Sequence, residues 1–153
     1  MKFITYTAVG RVWFGTAIAL NTLNYLNVQL IDQQTIFLKA LFAPLLAWIF
    51  GHAIKKYFKR KRPFQCISNY TSLVGSPLDD SFPSLHAGST FSFFVALLIW
   101  QHPLAYWIGI WALLASFSRL YLGVHFLSDL LGGLLLGVLC GSLIYLILFY
   151  SKN

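Results

Sequence analysis

The chain has 153 residues, enough for one domain, and 58% of them are hydrophobic while only 10% are charged. That composition excludes an ordinary water-soluble globule and places the chain in a bilayer. Eleven basic residues against four acidic give a net charge of +7, yet six of the eleven (Lys55, Lys56, Lys59, Arg60, Lys61 and Arg62) fall in one eight-residue stretch. The charge is a local feature, so membrane lipids are the expected surroundings and no nucleic-acid partner is expected.

A bilayer core needs about 20 apolar residues per helix, fewer where a helix is buried or the bilayer thins. Five segments qualify, at roughly 8–30, 35–54, 86–101, 103–121 and 126–150. They predict an all-α polytopic membrane bundle of about five transmembrane helices, six being possible, as a single domain over 1–153. The first segment has a basic start, but Arg11 interrupts its apolar run and no small-residue cleavage site follows, so it reads as a span rather than a removable signal. Asn21, Asn24 and Asn27 recur in it every third residue, a polar stripe expected to face other helices. The second segment runs into the basic stretch. The connection over about 56–85, with its turn-rich run from Cys66 to Asp80, is expected to be a loop acting as a lid or substrate-access element.

The third segment is short. In the last, Gly133, Gly137 and Gly141 recur every fourth residue on one face, a spacing that lets helix backbones approach closely. Trp13, Trp100, Trp107 and Trp111 fall near span ends, where amphipathic rings favour the headgroup region. Cys66 in the loop and Cys140 in an apolar helix are badly placed to pair, and neither has the neighbours of a metal site.

Up-down alternation brings three polar motifs to one membrane face: Lys55-x6-Arg62-Pro63, Pro83-Ser84-Leu85-His86, and Ser118-Arg119-x3-Gly123-x-His125-x3-Asp129. A phosphoryl group in transfer spreads charge over its oxygens, and its catalysis is mostly positioning and electrostatic stabilisation. Lys55, Arg62 and Arg119 supply three cations, the guanidinium as a fork and the ammonium as a point charge. Ser84 and nearby N–H groups add donors at a helix start, where the dipole favours anions. His125 stands four residues before Asp129, on the same helical face if the helix begins there. A carboxylate on one imidazole nitrogen leaves the other free to attack phosphorus. His86 is then the acid for the leaving oxygen and later the base for water. With Asp32, Asp79, Asp80 and Asp129 as its whole set of acids, the chain is poorly equipped for a two-metal site, and no metal or other cofactor is expected.

In order and spacing the three motifs resemble the type 2 phosphatidic acid phosphatase family, which includes bacterial undecaprenyl-diphosphate, phosphatidylglycerophosphate and lipid A phosphatases. The family pattern, K-x6-R-P, P-S-G-H and S-R-x5-H-x3-D, covers 55–129 here, with Leu85 standing where glycine is usual. The resemblance implies a phosphatidic acid phosphatase/haloperoxidase-like helical bundle and a metal-independent reaction. By resemblance Lys55, Arg62 and Arg119 bind phosphate with help from Ser84 and the Leu85 N–H, His86 protonates the leaving group, His125 forms a phosphohistidine and Asp129 orients it.

Each motif also has a duller reading. The basic stretch alone is a juxtamembrane lipid anchor, Ser84 and His86 are helix caps, and Arg119 with Asp129 is a buried ion pair fixing two helices. His52 and His102 belong to no motif and read as interfacial. Jointly the motifs favour a lipid phosphate or diphosphate as substrate, undecaprenyl diphosphate first, with phosphatidylglycerophosphate and lipid A as alternatives. Lys56, Lys59, Arg60 and Lys61 are candidates to hold a second phosphate. A lipid phosphotransferase and a non-catalytic lipid-binding subunit are the readings from other classes. The positive-inside rule sets the site on the cytoplasmic side. The family resemblance sets it on the extracytoplasmic face of a bacterial inner membrane, which we adopt because phosphate binding accounts for cations in the stretch.

Overall fold

The computed structural model describes residues 32–75 and 77–150, and among them the chain forms helices and no strand beyond one isolated bridge between Leu73 and Gly75. In chain order these are α1 (Asp32–Ala40), α2 (Phe42–Phe58), α3 (Pro63–Cys66), α4 (Leu85–Ile99), α5 (Ala105–Tyr121) and α6 (Leu127–Tyr150). The first expected span, with Trp13 and its asparagine stripe, lies outside the described residues.

The second expected span is two helices rather than one. Pro44, in the first turn of α2, has no N–H to offer the carbonyl of Ala40, so the ladder breaks at Leu41 and restarts. At its other end α2 stops at Lys59, which turns left-handed (φ 46°) and bonds its N–H to the carbonyl of Lys55 at 3.0 Å. The chain runs on to Arg62, whose N–H donates to Gln65 Oε1 at 2.8 Å, and Pro63 opens α3 with the φ a first helical position requires.

Helix α4 is apolar on all sides because it is the centre of the bundle, packed against α2, α5 and α6. Phe93, Ala96 and Leu97 are fully buried there with Ala105 and Ile144. Its approach to α6 is through glycine. A Cβ at Gly137 would meet Phe91 Cβ at 2.7 Å and the Gly88 carbonyl at 2.8 Å, and one at Gly141 would meet the Ser92 carbonyl at 2.7 Å. The Gly133–Gly137–Gly141 face is thus a packing face, as its spacing suggests.

Outward faces are apolar too. Leu131, Leu135 and Leu139 on α6, and Trp107, Ile110, Leu113 and Phe117 on α5, are all exposed, more apolar surface than water tolerates. Two stretches, Ile36–Cys66 and Leu127–Leu148, are long and apolar enough to cross a bilayer, whereas α4 is a shorter apolar helix. The helices near 86–101, 103–121 and 126–150 are present within two residues of expectation. Among the described residues, these two stretches reach membrane length on length and composition.

Candidate active site

The C-terminal ends of α2 and α5 and the N-terminal ends of α4 and α6 lie together, tied by backbone bonds. Ser84 donates its N–H to the Asp129 carbonyl at 2.9 Å, and Ser81 donates its own to the Arg60 carbonyl at 2.8 Å. Lys55, Ser84, Arg119, His125 and Asp129 are buried around this junction, as is Arg62 just before α3. All three motifs therefore reach one place.

Asp129 is fixed by its own helix. It is the third residue of α6, and its Oδ2 accepts the N–H of Phe126 at 2.9 Å, the reach-back that satisfies an orphan donor at a helix start. The same oxygen lies 3.4 Å from His125 Nδ1. His125 itself precedes α6, so the pair forms across the helix cap instead of along a helical face, a correction to the expected placement. Asp129 has no ion pair with Arg119; its charged partner is Arg60, at 2.7 Å, and His125 lies within hydrogen-bond reach of its other oxygen.

The other imidazole nitrogen, His125 Nε2, lies 3.4 Å from Arg62 Nη1. A guanidinium can only donate, so Nε2 is the unprotonated nitrogen and Nδ1 carries the hydrogen toward Asp129. Burial is the largest cause holding the His125 pKa down, to about 4; the bond to Asp129 opposes it, and the Arg62, Arg119 and Lys55 charges add to it. The imidazole is neutral at neutral pH, with a lone pair facing the cations.

Arg62 is held on all its edges. Nη1 donates to the Val124 carbonyl at 2.8 Å, Nε to the Asp79 carbonyl at 2.8 Å, and Nη2 to Asp79 Oδ1 at 2.8 Å. The other Asp79 oxygen pairs with Lys55 Nζ at 3.0 Å, and Lys55 also donates to the Asp80 carbonyl. Asp79, 51% exposed, thus lays one carboxylate oxygen on each of two buried cations. Burial alone would raise its pKa, but the charges and hydrogen bonds of Lys55 and Arg62 outweigh that and hold it at about 2.

Ser84 is the residue before the first turn of α4, yet its hydroxyl makes no capping bond. Among the described residues Ser84 Oγ, His86 Nε2 and Arg119 Nε, from the second and third motifs, and Ser116 Oγ one turn before Arg119 are buried polar side-chain atoms without a hydrogen-bond partner. Buried polar groups are seldom left so, and the three in the motifs together signal donors and acceptors oriented for something other than the fold. Leu85 is the first residue of α4, in ordinary helical backbone, so this position requires no glycine dihedral. Its side chain lies on Gly51 of α2, where any Cβ would strike Leu85 Cδ2.

The long connection is seated on the turn between α5 and α6. Gly123 (φ +71°) permits this: a Cβ there would meet Tyr70 Oη at 2.6 Å, and Leu73 bonds its N–H to the Leu122 carbonyl at 3.1 Å. Lys56, Lys59 and Lys61 are exposed, while Arg60 is engaged with Asp129 and Ser128. His102 is buried, its Nδ1 accepting the N–H of Leu104, and His52 Nδ1 faces the Trp48 carbonyl; neither approaches the site. Sequence reasoning missed Asp79 and the use of Arg60. Two of the four acids, Asp79 and Asp80, stand in the loop that follows the basic motif, but nothing in the sequence singles out Asp79.

Known proteins are similar to this chain in sequence and in fold. The chain is 41% identical over 98 residues to YbjG of Escherichia coli (strain K12), covering 61% of this chain and 46% of that protein. It is 29% identical over 97 residues to the undecaprenyl-diphosphatase BcrC of Bacillus subtilis (strain 168), covering 63% and 50%. The chain spans about half the length of these curated relatives. Its fold is that of the transmembrane PAP2 type phosphatidylglycerolphosphate phosphatase crystal structure from Bacillus subtilis, with a TM-score of 0.74 at 23% identity over 99% of this chain and 75% of that one. The PAP2 superfamily is matched over residues 36–153, which takes in the whole site and most of the chain, and the protein belongs to that superfamily.

Proposed function

We propose that this protein is an integral membrane lipid phosphatase, that it removes a phosphate from a lipid phosphomonoester or diphosphate, and that undecaprenyl diphosphate is its substrate. One observation carries the reading: His125 presents an unprotonated Nε2 to Arg62 while Nδ1 faces Asp129. That is the tautomer and orientation a nitrogen nucleophile needs. His125 Nε2 attacks phosphorus as the bond to the leaving oxygen breaks, and His86 gives that oxygen its proton. His86 then takes a proton from water, the hydroxide attacks the phosphohistidine, and the P–N bond breaks to release inorganic phosphate.

Lys55, Arg62 and Arg119, with Ser84 and the N–H groups at the start of α4, hold the phosphoryl oxygens. Three cations in this buried junction supply the charge stabilisation themselves, without a metal ion. The relative named undecaprenyl-diphosphatase supports the choice of lipid. The bundle reading assigns five spans and one domain, in a bacterial inner membrane with the site on the extracytoplasmic face.

The test is phosphate release by purified protein in detergent with EDTA, from undecaprenyl diphosphate, phosphatidylglycerophosphate, phosphatidic acid and lipid A, beside a His125→Ala control. The expected result is fastest release from undecaprenyl diphosphate, abolished in the control. Fastest release from another lipid overturns the substrate, transfer to an added acceptor lipid makes the protein a phosphotransferase, and no turnover of any lipid overturns the catalytic reading.

A further inference from the structure

The family motif gives Arg60 no role, and sequence reasoning set it aside as a holder of a second phosphate. The structure places it elsewhere. The left-handed turn at Lys59 redirects the chain at the end of α2, and the Arg60 side chain reaches across to the start of α6. There Nη1 donates to Asp129 Oδ1 at 2.7 Å and to Ser128 Oγ at 2.6 Å, and the guanidinium carbon lies 4.5 Å over the Phe126 ring. One side chain thus touches three of the four residues that follow His125.

Asp129 needs such a partner. Its side chain has no exposure at all, and a buried carboxylate without a cation is costly. The neutral His125 gives it only a hydrogen bond, and Arg119 is not bonded to it. Arg60, 38% exposed, is its cationic ion-pair partner among the described residues. The two carboxylate oxygens are divided: Oδ1 goes to Arg60, leaving Oδ2 aimed at His125 and the Phe126 N–H.

We propose that Arg60 is a positioning residue of the active site, locking the Asp129 carboxylate so that it fixes the tautomer and direction of His125. The inference rests on the catalytic reading of His125 above. Electrostatics and positioning make opposite predictions for this residue. As a mere charge, Arg60 draws negative potential away from Asp129 and makes His125 less basic, so its removal would strengthen the nucleophile. As a positioning group, its removal lets the carboxylate rotate and slows attack.

The experiment compares wild type, Arg60→Gln, Arg60→Lys and, as a control cation on α1 away from the site, Lys39→Gln, in detergent. Steady-state lipid phosphatase kinetics and thermal unfolding are read together with titration of the His125 ring by nitrogen NMR, in the field of Lys55, Arg62, His86, Arg119 and Asp129. We expect Arg60→Gln to lose about 100-fold in kcat, the scale of a misplaced reacting group. KM should change little, Arg60→Lys should recover part of the loss, Lys39→Gln should match wild type, and the His125 pKa should fall in Arg60→Gln as the Asp129 bond that raises it is loosened. Wild-type or faster turnover in Arg60→Gln overturns the proposal, as does an equal loss in Lys39→Gln. If wild type itself hydrolyses no lipid phosphate, the catalytic reading fails separately. The His125 titration then still decides the positioning: a fall in Arg60→Gln upholds it, and a rise or an unchanged value overturns it.

Discussion

Asp79 holds Arg62 by both its carboxylate and its backbone, Oδ1 at 2.8 Å from Nη2 and the carbonyl at 2.8 Å from Nε, while its second carboxylate oxygen lies 3.0 Å from Lys55. Two oxygens bridging two cations is the geometry expected of a phosphate on the same residues. On the proposed function, a lipid phosphate bound by Lys55 and Arg62 would displace this carboxylate. Asp79→Asn should lower KM for the lipid substrate by about two- to fivefold, the range of a half-exposed ion pair. Asp79 has a folded pKa below its unfolded value, so it stays ionised, and its contribution to stability is present above about pH 4 and lost only as pH falls toward 2. The gain in Asp79→Asn should then be the same at every pH from about 5 to 8. A higher KM would instead make Asp79 a support for the two cations.

His125 is the second point where charge decides behaviour. Its pKa is held down to about 4, chiefly by burial. As pH falls the imidazole protonates and its lone pair is lost, so the acid limb of kcat/KM, corrected for ionisation of the substrate, should lie near pH 4 rather than at the ordinary histidine value. The sign for stability is the same: a histidine depressed on folding destabilises the folded state as pH falls from about 6.5 to 4. Asp129→Asn should keep the fold but lose up to about 10,000-fold in kcat, the scale seen where a carboxylate no longer fixes a histidine tautomer. An acid limb that stays near 6.5 would mean that His125 is open to water.

Much of this site was legible from helix counting. The Lys55 and Arg62 spacing, the helix start at His86 and the turn between Arg119 and Asp129 needed only alternation of apolar segments to meet. Asp79 and Arg60 were not legible, because each contact depends on a loop path. Arg60 reaches Asp129 across 69 residues, after a left-handed turn at a lysine that no glycine announces. The break at Leu41 had a visible cause in Pro44, which the apolar run over 35–54 concealed. His125 fell just outside α6 because Asp129 caps the helix at its third position, and a period of four reads the same on either side of a cap.

Leu85 and Gly51 form a matched pair. The leucine standing at the family's glycine position lies over Gly51, and a methyl group there would meet both Leu85 Cδ2 and Leu136 Cδ2. Gly51→Ala should destabilise by about 1–3 kcal/mol, the usual cost of overpacking. Leu85→Ala should relieve much of that cost, so a double-mutant cycle on thermal unfolding should show clear coupling. Additive effects would mean that the Leu85 side chain can swing aside freely.

Cys66 gives a direct test of sidedness. It closes α3 within the connection between α2 and α4, at the same end as the site, and it is exposed, whereas Cys140 is buried in α6. A membrane-impermeant maleimide added to intact bacterial cells producing the protein should therefore label Cys66 if the site is extracytoplasmic. Cys66→Ser should abolish the labelling and Cys140→Ser should leave it unchanged. The basic residues beside Cys66 argue for the cytoplasmic side by the positive-inside rule. Three of them, Lys55, Arg60 and Arg62, are engaged in ion pairs and leave fewer free charges to orient the chain. Labelling only after the membrane is permeabilised would restore the charge rule and move the reaction to the inner leaflet.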